Sequence, residues 1–237
     1  MPLEMFSAQA VVLGEKVYVG GGAFVEDEIH NYHDILLYNS SRDEWSRLPR
    51  HDMRAFALAQ FIGNLITVGG LAYTGATGKI YRFKEESQMW EEFLKPMPTA
   101  RCHLTVATTQ SAIIATGGRS DYKYNDKPVT YASVEVYRSE TSQWYTADPL
   151  PAPYHSMTCV TIADTCYLLG GADANSKDVA SVLYASVTSI IQGATLPSHQ
   201  SAQTGMLLLP HSSREPPHLL VNQLATHQSG RPSSTPH

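Results

Sequence analysis

Ala112-Ile113-Ile114-Ala115-Thr116-Gly117-Gly118 is a short apolar, β-rich run closed by a glycine pair, and the chain repeats that phrase. The other copies end in Gly21-Gly22, Gly69-Gly70 and Gly170-Gly171, so successive pairs lie 48, 48 and 53 residues apart. A second apolar run follows each pair and carries a tyrosine: Tyr38, Tyr81, Tyr137 and Tyr184. In the first three units a tryptophan comes seven to nine residues later, at Trp45, Trp90 and Trp144. Self-similarity at a period of roughly 40 to 50 residues points to a repeat architecture before any single motif is considered.

The third unit reads most clearly. His103 to Thr108 alternates toward a strand, Thr109-Gln110-Ser111 is turn-like, and Ala112 to Thr116 is an uncharged second strand. After the variable stretch Arg119 to Ala132, Ser133-Val134-Glu135-Val136-Tyr137-Arg138 alternates as a half-buried strand. Gln143-Trp144-Tyr145-Thr146 makes a fourth strand. The prolines Pro149, Pro151 and Pro153 cannot donate to a ladder, so the segment carrying them is a connection. Second strands elsewhere read 16–19, 65–68 and 166–169, and third strands 35–38, 80–83 and 182–185. No helical period stands out. One such sheet cannot bury both faces, so the units must pack on each other, and a radial array satisfies that need.

The glycine pair, the tyrosine, the spaced tryptophan and the lead-in Met97-Pro98-Thr99-Ala100-Arg101 resemble the Kelch repeat over about residues 2–190. The Gly-His and Trp-Asp marks of WD40 repeats are absent. The resemblance implies an all-β, Kelch-type β-propeller with four four-stranded blades, about 2–48, 49–96, 97–148 and 149–193. Residues 194–237 are expected to hold a degenerate partial fifth blade, with Gly205–Leu209 and His218–Val221 as its strands, and a disordered Ser-, Pro- and His-rich tail. The fourth unit lacks the tryptophan; Ile190 and Ile191 fall near its place. Arg101 is matched with Arg54 in unit two and with Met5 and Tyr154 in units one and four. Four blades are fewer than the family's usual five to seven, so the array is expected to be incomplete or open. Its unpaired terminal blades then invite self-association.

The bulk numbers restrict function. A net charge of −5 offers no field for nucleic acid or an anionic membrane surface. No apolar stretch reaches the ~18 residues of a spanning helix, and the N-terminus does not read as a signal peptide. Three cysteines, Cys102, Cys159 and Cys166, suit a reducing compartment, and a cytoplasmic location is expected. Cys159 and Cys166 lie seven apart across a predicted hairpin turn; free buried thiols are the expectation, with close approach the alternative.

Strand alternation puts the 2–3 loops (23–34, 71–79, 119–132 and 172–181) on one face with the inter-blade connections, and binding concentrates on such loops. Candidate partner-binding residues there are Glu26, Asp27, Arg50, Tyr73, Tyr122, Tyr124, Lys127 and Asp173. Tyrosine and arginine are favoured interface anchors. Arg54 and Arg101 are read as structural, hydrogen-bonding backbone between blades. His30 and His33 beside Asp34 lack further ligands at zinc spacing, so no metal and no cofactor is expected. His103 and His155 stand at nearly equivalent lead-in positions, which reflects the repeat and not a catalytic pair. Nucleotide-binding and hydrolase motifs are absent.

The resulting expectation is a non-catalytic module that binds a protein partner. Resemblance to BTB-Kelch adaptors implies a role in ubiquitylation, although no BTB-like segment is read in these residues. The alternatives are a Kelch-type propeller enzyme (an oxidase or a sugar isomerase) and an actin-binding scaffold.

Overall fold

Alternating apolar residues flanked by glycine and turn residues form strands because one face of each can be buried while the backbone pairs sideways. The computed structural model describes residues 5–6, 8–24, 34–120, 127–196 and 207–208. It contains four antiparallel sheets of four strands each, every sheet a meander in chain order. Blade one uses Gln9–Leu13, Lys16–Gly20, Ile35–Asn39 and Glu44–Arg47. Blade two uses Ala57–Phe61, Asn64–Ala72, Gly75–Lys84 and Met89–Leu94. Blade three uses Thr105–Thr108, Ala112–Thr116, Val134–Arg138 and Gln143–Ala147. Blade four uses Thr158–Ile162, Thr165–Leu169, Val182–Ser186 and Leu207–Leu208.

The first strands of consecutive blades lie side by side and make the hub. Blades two and three turn the face carrying the tryptophan toward the blade before them. Between blades two and three, Phe61, Ile66 and Val68 meet Ile113, Tyr137 and Trp144. The indole N–H of Trp144 donates to Lys95 O at 2.9 Å, and that of Trp90 to Pro49 O at 3.2 Å. Trp90 and Trp144 therefore each wedge two blades apart while the indole N–H is satisfied by the connection it covers.

The glycine pair sits where neighbouring backbones touch. Gly117 has φ +61°, and a Cβ there would lie 2.5 Å from Tyr154 O of the next blade's lead-in. The N–H of Gly118 donates to that same carbonyl at 2.8 Å. Gly170 holds the same φ, +63°, yet a Cβ on it would come no closer than 3.9 Å to any atom. Among the described residues no blade packs on that side of blade four. Val160 and Ile162 on its first strand are 42 % and 62 % exposed, and Val12 on blade one is 63 % exposed. The described blades leave these two end faces exposed.

Four features differ from the sequence reading. First, the tyrosines are not all equivalent. Tyr38 and Tyr137 pair with Trp45 and Trp144, but Trp90 pairs with Phe83. Tyr81 lies two residues away, where blade three has Glu135, since both pair with the residue two before the glycine pair. In blade four Ala185, not Tyr184, holds the Tyr137 position. A bulge between Val68 and Gly70 causes the shift in blade two. Second, the expected loop at 71–79 is a continuous hairpin with Tyr73 and Thr74 at its turn.

Third, Val187–Gly193 is an α-helix where the sequence reading had only strands. Ser186 caps it by accepting from Ser189 N, and Asp164 accepts from Thr188 N at 3.0 Å. Arg138 of blade three donates to Ala194 O at 2.9 Å beyond its C-terminal end. Val187 is buried, and Ile190 and Ile191 pack on the same core, replacing the missing tryptophan with helix-borne apolar bulk. Fourth, Leu207 and Leu208 do not open a fifth unit: they pair with Tyr184 and Leu183 as the outer strand of blade four. Residues 218–221 lie outside those described.

Candidate functional site

Each unit closes at the hub with a short backbone bridge joining the residue after the glycine pair to the lead-in. The bridges are Phe6 with Ala23, Arg54 with Leu71, Cys102 with Arg119, and His155 with Ala172. Arg54 therefore corresponds to Cys102, while Arg101 corresponds to Met53, one residue earlier. The matching of Arg54 with Arg101 is corrected on this point; the glycine spacing of 48 residues carries position 54 to 102.

The residue after each lead-in partner has positive φ: Ala55 (+50°), His103 (+53°) and Ser156 (+56°). This turn aims the peptide groups along the hub. The N–H of His103 donates to Ala55 O, and that of Ser156 to His103 O, each at 2.8 Å. His103 and His155 accordingly occupy adjacent repeat positions, not the same one. Their side chains meet because both, with Arg119 and Ser156, project at the start of the 2–3 loops.

A directional chain of polar groups results. Arg119 Nη2 lies 3.2 Å from His103 Nε2. Guanidinium is donor-only, so Nε2 accepts and the ring proton is on Nδ1. His103 Nδ1 is 3.5 Å from Ser156 Oγ, which is 3.1 Å from His155 Nδ1. Burial first, then the charges of Arg119, His155 and Arg54, pushes the His103 pKa down to about 3. Burial and Arg119 also lower that of His155. Both rings are neutral at physiological pH, and the positive charge of the hub belongs to its arginines.

Arg101 is elsewhere and structural. It is fully buried, with Nη1 3.0 Å from Glu135 Oε2 and Nη2 3.0 Å from Ala115 O. The backbone hydrogen bond expected of it exists, within blade three. Its backbone makes the inter-blade link, Gly70 N donating to Arg101 O at 2.9 Å.

The candidate partner residues are dispersed. Tyr73 is fully exposed at the tip of the blade-two hairpin. Arg50, on the connection between blades one and two, and Lys127 are exposed. Asp173 is a loop-shaping residue: its Oδ1 accepts from Asn175 N at 2.8 Å and Lys177 N at 3.0 Å. Those bonds, that from Lys177 foremost, hold its carboxyl below the usual range. At the edge of the first loop Arg47 pairs with Asp34 at 2.9 Å. Glu26, Asp27, Tyr122 and Tyr124 lie outside the described residues, as do His30 and His33. Among the described residues no three metal-ligating side chains cluster, and no helix is long and apolar enough to cross a membrane.

The sequence reading missed the Arg119–His103–Ser156–His155 chain. Aligning the lead-ins strictly on the glycine pairs would have placed His103 beside Ser156 and revealed the one-residue offset. It also missed His51, which is buried between blades one and two: its Nδ1 accepts from Met53 N at 3.0 Å, and its ring meets Trp90 edge-on at 4.7 Å.

No family model matches the chain. Kelch-like protein 23 of Homo sapiens is 27 % identical over 166 residues, covering 67 % of this chain and 28 % of that protein. Kelch-like protein terF of Aspergillus terreus is 24 % identical over 216 residues, covering 87 % and 44 %. The chain is a Kelch-repeat β-propeller. It spans less than half the length of these curated relatives. The solved structure of YjhT superposes with a TM-score of 0.67 at 13 % identity, over 91 % of this chain and 68 % of that one, and so shares the fold.

Proposed function

We propose that this Kelch propeller is a non-catalytic protein-interaction module whose binding face is the side carrying the 2–3 loops, the inter-blade connections and the hub arginines. One observation carries the reading. The rigid sheets deliver Tyr73, Arg50 and Lys127, all exposed, to unequal projections around a hub that bears Arg54 and Arg119. Aromatic and arginine side chains on a fixed scaffold lose little entropy on binding, which suits them to anchor a partner segment. The hub imidazoles support a non-catalytic role because they are spent on one another, on Arg119 and on Ser156. By analogy with Kelch-like adaptors, a cytoplasmic partner destined for ubiquitylation fits this reading.

The test is proximity labelling with the full chain and with a Tyr73→Ala, Tyr122→Ala, Tyr124→Ala variant. The expected outcome is loss of a specific partner set with an unchanged thermal midpoint. An unchanged partner set would move the binding face elsewhere. Stoichiometric copper or zinc in the purified protein would restore the enzyme reading, and co-sedimentation with actin filaments the scaffold reading.

A further inference from the structure

Cys159 and Cys166 stand on the first two strands of blade four. Cys159 is opposite Leu168 and Cys166 opposite Thr161, so the cysteines are diagonal neighbours on the face turned toward blade three. Their sulfur atoms are 2.8 Å apart, inside the contact distance of two sulfurs, although both are free thiols. Cross-strand neighbours can meet only if the twist of the hairpin draws that diagonal together, and here it has. Cys166 is 2 % exposed, whereas Cys159 is half-buried on the first strand of the blade, where Val160 and Ile162 are exposed. Cys102 is buried in the lead-in of blade three, its sulfur against Arg119 O.

We propose that Cys159 and Cys166 are a thiol–disulfide pair that takes small-molecule disulfides of the glutathione class, with Cys159 as the attacking sulfur and Cys166 as the resolving one. One thiol donates to the other sulfur; that contact, with Thr161, lowers the Cys159 pKa, and the same contact, together with burial, raises that of Cys166. The Cys159 thiolate attacks one sulfur of the small disulfide, forming a mixed disulfide and expelling a thiolate, which takes up a proton from water. Cys166 then gives up its proton and attacks the Cys159 sulfur, and the second small thiol leaves. Two protein thiols are oxidised to one disulfide as one small disulfide is reduced to two thiols. The bond closes the turn Ile162–Thr165 and staples the exposed inner edge of the terminal blade.

The experiment uses the full chain, reduced and then equilibrated natively with oxidised and reduced glutathione at fixed ratios, quenched with acid, alkylated under denaturing conditions and analysed by peptide mass spectrometry. The expected product is a single-chain Cys159–Cys166 linkage, with Cys102 alkylated throughout. Oxidation should raise the thermal midpoint by roughly 5 to 10 °C, the scale for a short closed loop in a domain of this size. Cys166→Ser should stop at a glutathione adduct on Cys159, and Cys159→Ser should give no adduct at Cys166. Repeating the reaction on urea-unfolded wild-type chain should scramble the pairing, so the outcome does not depend on the variants folding. Alkylation of both residues at every ratio, or linkage to Cys102 as frequent as linkage between the pair, would overturn the proposal.

Discussion

Breaking the Arg101–Glu135 pair tests whether the repeat, and not the charge, supports the blade. The pair is buried, with side-chain exposures of 0 % and 5 %, and Glu135 also accepts from Thr99 Oγ1 at 2.6 Å. The two positions recur in every unit. The residues standing there are Met5 and Leu36 in unit one, Met53 and Tyr81 in unit two, and Tyr154 and Leu183 in unit four. Units two and four therefore fill the site with Met–Tyr and Tyr–Leu pairs, and among the described residues only blade three places an ion pair there. Removing Arg101 alone leaves a buried carboxylate without its counter-charge, a loss of about 3–5 kcal/mol. For a chain of this length that lowers the thermal midpoint by roughly 6 to 20 °C. Replacing both, Arg101→Met with Glu135→Leu, gives the site an apolar pair like those of the other units. The desolvation cost of two charges disappears, against about 1 kcal/mol for the hydrogen bond lost at Ala115 O. The double variant should thus be within about 1 kcal/mol of the parent or more stable. Denaturant midpoints of the four proteins give the coupling energy directly. A double variant as unstable as the worse single variant, or an Arg101→Met chain indistinguishable from the parent, would refute the reasoning.

The remaining expectations follow from the same geometry. Gly117→Ala should be far more destabilising than Gly170→Ala: both carry the left-handed backbone cost of about 1 kcal/mol, but only at Gly117 does the new Cβ meet the next blade. Equal losses in urea melts would mean that blade four does have a follower. Trp144→Ala should cost about 3–5 kcal/mol through the void between blades two and three, while Trp144→Phe should cost nearer 1 kcal/mol for the lost bond to Lys95 O; chemical denaturation separates the two. His103 has its pKa lowered on folding to about 3, so the unfolded chain binds the extra proton between pH 6.5 and 3. Stability should fall as pH drops through that window, by up to about 1.4 kcal/mol per pH unit from this group. His103→Gln should flatten the profile, and an unchanged slope would count against a buried neutral imidazole.

Much was legible in the residues themselves. The glycine pairs, the tryptophans and the alternation around Val134–Arg138 fix four sheets, because strand pairing and twist are imposed by the backbone and a two-residue period. The side of the sheet that carries the 2–3 loops follows from counting strands. The site was less legible. The His103–Ser156 contact depends on a one-residue offset between units, and a spacing of 48 against 53 residues does not reveal where the extra residues go. The blade-two loop became a hairpin because Gly75 and Gly78 allow the two strands to continue past the bulge, and Gly78 lets the Met97 backbone approach closely.

The sequence alone determined the number of blades, their order and the face on which the loops stand, since these depend on short-range periodicity and on glycine at fixed places. Only the tertiary structure decided which residues oppose one another. Phe83 replaced Tyr81 beside Trp90, a helix replaced the tryptophan of blade four, and Leu207–Leu208 reached back to the outer edge of that blade. Each of these turns on volume to be filled between sheets, and a linear pattern carries no measure of the space on its far side.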